Sequence, residues 1–250
     1  MTLAQSLLLI VAVASSVHGQ TFLRGSGATL LGTGATVYKD RSPDKKAVAH
    51  YKLDGDATDA RGAHNGTATN VTWAAGRFGQ GASFAGTGLI ESATTASLSG
   101  DFTMAVWLYS ASDGGTTIRP ILSMGYNSNS SAMIYEQVDM HFIIFKSAGG
   151  GLSTINSRVN VDQGAWRHIC WTRTDGAMRL YRDGQLLFTT AASYAIPVVA
   201  QPIELGDAPT RAFADSYLGL LDDVRIYDYA LSERDIRRVM LGLAPLEGGE

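Results

Sequence analysis

The chain has 250 residues, 45% of them hydrophobic and 17% charged, with 28 glycines and a formal net charge of −3. That balance excludes an electrostatic nucleic-acid binder, which needs a basic face. The single cysteine, Cys170, excludes an intramolecular disulfide. What remains is the composition of one all-β domain of ordinary size with many turns.

Residues 1–23 contain no Lys, Arg, Asp or Glu, and residues 7–14 are continuously apolar. Two readings stand side by side. Residues 1–19 form a secretory signal peptide, with Val17-His18-Gly19 as an acceptable cleavage site before Gln20. Alternatively they form a retained apolar arm that seeks a partner surface, because each buried Leu or Ile gains about 1.5–3 kcal/mol over exposure. The first five residues lack the Lys or Arg of a standard signal, and the apolar run is too short for a membrane span. Residues 20–46 are rich in Gly and Thr, with G-S-G-A-T at 25–29 nearly repeated as G-T-G-A-T at 32–36. They read as a linker or extended arm.

The head runs over residues 47–243, with a short tail at 244–250. Residues 48–53 read as its first strand. A loop follows with Asp54, Asp56 and Asp59 among Gly55, Gly62 and Gly66. Three carboxylates within six positions suit a hard cation such as Ca²⁺; they suit equally well the capping of turns by Asp side chains facing solvent. The strongest strand is 102–110, F-T-M-A-V-W-L-Y-S, apolar on both faces. Such a strand is covered on both sides, or its outer face is a binding surface. Short strands then recur at 118–124, 132–137, 141–146 and 152–156, separated by loops rich in Ser, Asn and Gly, as in a β-sandwich. Residues 166–187 read as three strands joined by Asp175-Gly176 and Asp183-Gly184 turns. Cys170 and His168 lie inside the first of these as packed side chains. Residues 218–227 form the closing strand, with Asp222, Val224 and Ile226 sharing one face. Ser232-Glu233-Arg234-Asp235 then starts a short helix, Ser232 bonding the Asp235 N–H, with Ile236, Val239, Met240 and Leu243 at helical spacing.

The stretch W-R-H-I-C-W-T, D-G, L-Y-R-D-G within residues 166–184 resembles the central hairpins of laminin-G-like domains, in the concanavalin A-like lectin/glucanase superfamily. The opening H-Y-K-L-D-G-D at 50–56 and the closing Y-L-G-L-L-D-D-V-R-I-Y-D at 217–228 resemble that family's first strand and last strand, in the family's order. The resemblance implies an antiparallel two-sheet jelly-roll sandwich with one short C-terminal helix. It also implies a calcium ion near the opening loop and closing strand, with Asp54, Asp59 and Asp222 as its ligands.

No catalytic constellation is legible. Glu136 and Asp139 are three apart, and Asp222 and Asp223 are adjacent, so neither pair shares a strand face as glycosidase carboxylates do. There is no H-E-x-x-H and no cysteine-based zinc site. The expected function is therefore a non-catalytic, extracellular recognition module that binds a glycan or glycoprotein. Tyr126, Tyr194 and Phe213, in predicted loops, are the candidates for stacking on sugar faces. The alternative is a structural or assembly protein, such as a virion decoration or filament subunit, anchored by residues 1–46 and displaying the head outward.

Overall fold

The computed structural model describes residues 14–17, 20–23, 36–37, 44, 46–111, 119–125, 132–137, 141–148, 151–156, 164–174, 176–191, 199–207 and 216–246. Three short strands, β1 (Ala14–Val17), β2 (Gln20–Leu23) and β3 (Thr36–Val37), pair with one another in a small sheet of their own.

The remaining strands form one curled antiparallel sheet. They are β4 (Ala49–Tyr51), β5 (Gly66–Ala75), β6 (Gln80–Leu98), β7 (Phe102–Ser110), β8 (Arg119–Met124), β9 (Ala132–Gln137), β10 (His141–Ala148) and β11 (Gly151–Asn156). There follow β12 (Trp166–Thr174), β13 (Ala177–Arg182), β14 (Gln185–Ala191), β15 (Val199–Leu205) and β16 (Leu218–Tyr227). The order across the sheet is β11-β10-β9-β8-β15-β6-β16-β7-β12-β13-β14, with β4 on β16 and β5 on β6. In place of two separate sheets there is one, which curls through the 19-residue β6. Its first part pairs with β16, Ala82 opposite Leu221. Its last part pairs with β15, Leu98 opposite Val199. Val106, Trp171 and Leu221 from one half meet Leu122, Ile134 and Ile203 from the other in one core.

The close approach at β6 depends on small residues. A Cβ on Gly81 would lie 3.0 Å from the Leu221 carbonyl oxygen. The meander of residues 166–191 forms as the two turn signals require. Gly176 has φ 77°, while Asp183 and Gly184 have φ 51° and 75°, the left-handed pair of a type I′ hairpin. Helix α1 (Glu233–Met240) starts at Ser232, whose Oγ accepts the Asp235 N–H at 3.1 Å. Its Ile236 and Val239 cover Ala105, Cys170, Tyr181 and Tyr227 on the outer side of the sheet.

One expectation fails at β16. The register shifts between Asp222 and Arg225, with Asp223 at φ 47°. This bulge re-phases the strand. Val224 and Ile226 enter the core, whereas Asp222 lies opposite Trp107 on the helix-bearing face. A strict two-residue alternation does not survive an inserted residue.

Candidate functional site

Tyr126, Tyr194 and Phe213 lie outside the described residues. The three expected calcium ligands are placed, and each has hydrogen-bonding work. Asp59 is buried and organises its own loop: Oδ1 accepts the His50 and Arg61 N–H groups at 2.9 Å, and Oδ2 those of Ala63 and His64 at 3.1 Å. Asp54 accepts the Gln80 N–H at 3.1 Å and Asp222 the Phe78 N–H at 2.7 Å, so these two hold the same 76–80 turn. A cation needs oxygen lone pairs converging on one point. Among the described residues no group of three His, Cys, Asp or Glu does this, and Asp54, Asp59 and Asp222 as placed do not fit a calcium ion. Asp59 does cap turns, but from a buried position rather than from solvent.

The 76–80 turn, held by Asp54 and Asp222, lies over the outer face of β7 and β12. There Trp107 pairs with His168 and Tyr109 with Trp166 across the strands. Phe78 meets the Trp107 ring edge-on at 6.2 Å between centroids, and the Arg77 guanidinium lies 4.4 Å from the Trp107 centroid. Trp107 itself is covered, its Nε1–H donating to the Met240 carbonyl at 3.1 Å. One step further along the strands Tyr109 and Trp166 are half-buried, with centroids 5.8 Å apart. Partial burial lowers the Arg77 pKa, and Asp183 and Asp222 oppose the shift. Arg77 Nε has no hydrogen-bond partner among the described residues. The result is a shelf of two partly exposed aromatic rings beside a guanidinium positioned by a cation–π contact.

His168 underlies this shelf. Burial lowers its pKa to about 3, with Asp223 opposing and Arg225 and Arg77 reinforcing the shift. Both ring nitrogens lack partners among the described residues, so it acts as a packed neutral ring. Burial pushes the Cys170 thiol far up, which keeps it from ionising. Neither is a reactive group.

On the other half of the sheet an open groove of about 350 Å³ is lined by Thr67, Thr69, Leu89, Glu91, Ser92 and Pro202. Glu204 lies opposite Glu91 across β15 and β6 but is fully buried. Burial raises its pKa to about 8, against the Ser123 hydroxyl hydrogen bond to Oε2 and together with the charges of Glu91 and Asp207.

The aromatic shelf was half legible in the sequence. Apolar residues on both faces of 102–110 marked the outer face, but Arg77 gave no sequence signal, since its role depends on the turn that folds it back over Trp107.

The sequence profile of the concanavalin A-like lectin/glucanases superfamily matches residues 84–237. No curated protein sequence matches the chain. Among solved structures it is similar to domain 4 of AbnA, a GH43 extracellular arabinanase from Geobacillus stearothermophilus, in complex with arabinotriose. The identity is 20% and the TM-score 0.65, over 78% of this chain and 98% of that one. It is similar to the SAP-like pentraxin of Limulus polyphemus at 18% identity and TM-score 0.50, over 63% and 80% of the two chains. It is also similar to the receptor binding domain of a botulinum neurotoxin C/D mosaic serotype, at 13% identity and TM-score 0.62. That match covers 80% of this chain and 52% of the toxin domain, so the chain spans about half of it. At these identities the likeness shows the fold.

Proposed function

The chain belongs to the concanavalin A-like lectin/glucanases superfamily, and from that premise we propose that it is a non-catalytic extracellular module that recognises a glycan or glycoprotein. The observation that carries this reading is the partly exposed Tyr109–Trp166 pair beside the Arg77 guanidinium. A pyranose or furanose ring presents an apolar C–H face that stacks on such rings, and its hydroxyls accept from a guanidinium. The arabinanase domain bound to arabinotriose and the toxin receptor binding domain support the reading by their own ligands. Among the described residues no helix is long and apolar enough to cross a membrane.

The test is a glycan array, with and without Ca²⁺, followed by titration of the retained saccharides and of arabinotriose. Trp166→Ala is expected to weaken binding about tenfold, equivalent to about 1.4 kcal/mol, with the fold intact by circular dichroism. An array without hits sinks the glycan reading. Undiminished binding by Trp166→Ala moves the site elsewhere.

A second reading, an assembly subunit held by its N-terminal segment, is favoured by the small β1–β3 sheet, which among the described residues pairs within itself. Incorporation into a particle or filament that is unchanged by deleting residues 2–40 removes it.

A further inference from the structure

The sequence N-V-T at 70–72 matches the N-x-S/T acceptor pattern for N-linked glycans. A match of three residues recurs by chance, so its weight rests on where the fold puts it. An acceptor must stand at the surface with room for a bulky, hydrophilic branch. Asn70 and Thr72 are both exposed, on either side of the half-buried Val71.

Asn70 also stands out of the ladder. The pairing of β5 with β6 shifts register between Thr69, which faces Leu89, and Val71, which faces Phe84. Asn70 therefore lies alone opposite residues 85–88 of β6, at a bulge that frees it from the regular pleat. Its φ is 54°, in the left-handed region that Asn tolerates better than most side chains. The surroundings are small and open. Ala85 and Thr87 are exposed, and a Cβ added at Gly86 would meet nothing within 4 Å. Among the described residues no hydrogen bond engages the Asn70 amide. Asn65-Gly66-Thr67, a second match, makes the contrast. There Asn65 Oδ1 accepts the Asp59 N–H at 3.1 Å, which ties the amide into the loop that Asp59 organises.

We propose that Asn70 is a glycan-attachment site, carrying on Nδ2 an oligosaccharide joined through its reducing-end sugar. The inference rests on the extracellular reading above, because the modification belongs to the secretory compartment. The co-reactant is a lipid-linked oligosaccharide diphosphate. Nδ2 bonds to the anomeric carbon, and the bond from that carbon to the diphosphate oxygen breaks. The lipid diphosphate leaves with the electron pair, and Nδ2 gives up one proton to a base. The branch then covers β5, a strand without a single fully buried residue.

Peptide mapping of the protein isolated from the cells that make it tests this. Trypsin cuts after Arg61 and Arg77, so one peptide holds both acceptor patterns. Enzymatic release of the glycan converts the occupied Asn to Asp, and tandem mass spectrometry reads which one. The expected result is conversion at Asn70. Translation of the full chain with secretory microsomes supplies the variants. Thr72→Ala, which keeps Asn70, and Asn70→Asp, which keeps a side chain suited to the left-handed backbone, are each expected to abolish the glycan-dependent gel shift at this site. Asn65→Gln is expected to leave that shift in place. A mature chain that starts near Gln20 with Asn70 unmodified would overturn the inference and leave the extracellular reading standing. A chain that retains residues 1–19 and is unmodified would overturn both. Conversion at Asn65 alone, or a shift that survives Thr72→Ala undiminished, would also overturn the assignment to Asn70.

Discussion

Arg225 Nη2 lies 3.0 Å from Asp223 Oδ2, and both side chains are fully buried. The same guanidinium lies 3.4 Å from Asp44 Oδ2 and donates to the Leu243 carbonyl at 2.8 Å. The Tyr227 hydroxyl donates to Asp44 at 2.5 Å, and His50 Nε2 stands 2.8 Å from Asp223 Oδ1. One buried cation thus ties together the start of the head, β4, β16 and the chain after α1. It is a structural staple, closed to ligands.

Such a cluster tolerates loss of a partner badly, because the remaining charge stays buried and unmatched. Asp223→Ala is expected to lower stability by about 3–5 kcal/mol. The exposed Arg237–Glu233 pair, 3.2 Å apart with side chains 58% and 51% exposed, is the control. Glu233→Ala should change stability by less than about 0.5 kcal/mol. Urea unfolding monitored by tryptophan fluorescence compares the two. Equal effects would mean that the cluster is not sealed.

Gly206 has φ 83°, and a Cβ there would lie 2.3 Å from two atoms of the Phe84 ring. Gly176 has a similar φ, 77°, with nothing within 4 Å of its Cβ position. Alanine at either site meets the left-handed strain of about 1–2 kcal/mol. Only at Gly206 does it also overpack the core, by about 1–3 kcal/mol more. Gly206→Ala should therefore unfold at clearly lower urea than Gly176→Ala. Coincident midpoints would show that Phe84 can swing aside without cost.

The fold was legible because its signals are local. The Asp-Gly turns, the strand 102–110 with apolar residues on both faces and the Ser232 cap each specify geometry within a few residues, and each appears where expected. The site was less legible because its parts are assembled over long separations. Asp59 read equally as ligand or cap, and only the folded loop shows four N–H groups on its two oxygens. Asp222 was assigned the wrong face, since a bulge leaves no mark in a run such as L-L-D-D-V-R-I. The Asp44–Arg225 contact spans 181 residues and is invisible to any window of sequence.

Ser232 gives a test of a purely local term. Its Oγ accepts the Asp235 N–H and donates to Asp235 Oδ2 at 2.9 Å. Ser232→Ala should cost about 1 kcal/mol, whereas Ser232→Thr, which keeps both the acceptor and the donor, should cost clearly less. α1 covers Cys170, so a weakened cap should also speed labelling of that thiol by a maleimide. Unchanged labelling in Ser232→Ala would separate helix fraying from exposure of the sheet beneath.

Two buried groups should bend the pH dependence of stability in opposite directions. Glu204 is held protonated in the folded chain, its pKa raised from 4.5 to about 8. The unfolded chain releases that proton first, so the contribution of Glu204 is full below about pH 4.5 and is lost as pH rises towards 8. His168 is held neutral, its pKa lowered from 6.5 to about 3. The unfolded chain takes up that proton first, so the contribution of His168 is full above about pH 6.5 and is lost as pH falls towards 3. His50, also lowered by burial, adds to the acid side. Glu204→Gln keeps the shape of the protonated acid and should flatten the alkaline limb alone. His168→Leu removes two unpartnered nitrogens and should flatten the acid limb, leaving the His50 part. Urea midpoints measured from pH 4 to 9 distinguish the two variants. An alkaline limb of unchanged slope in Glu204→Gln would mean that water reaches the Glu204 carboxyl in the folded protein.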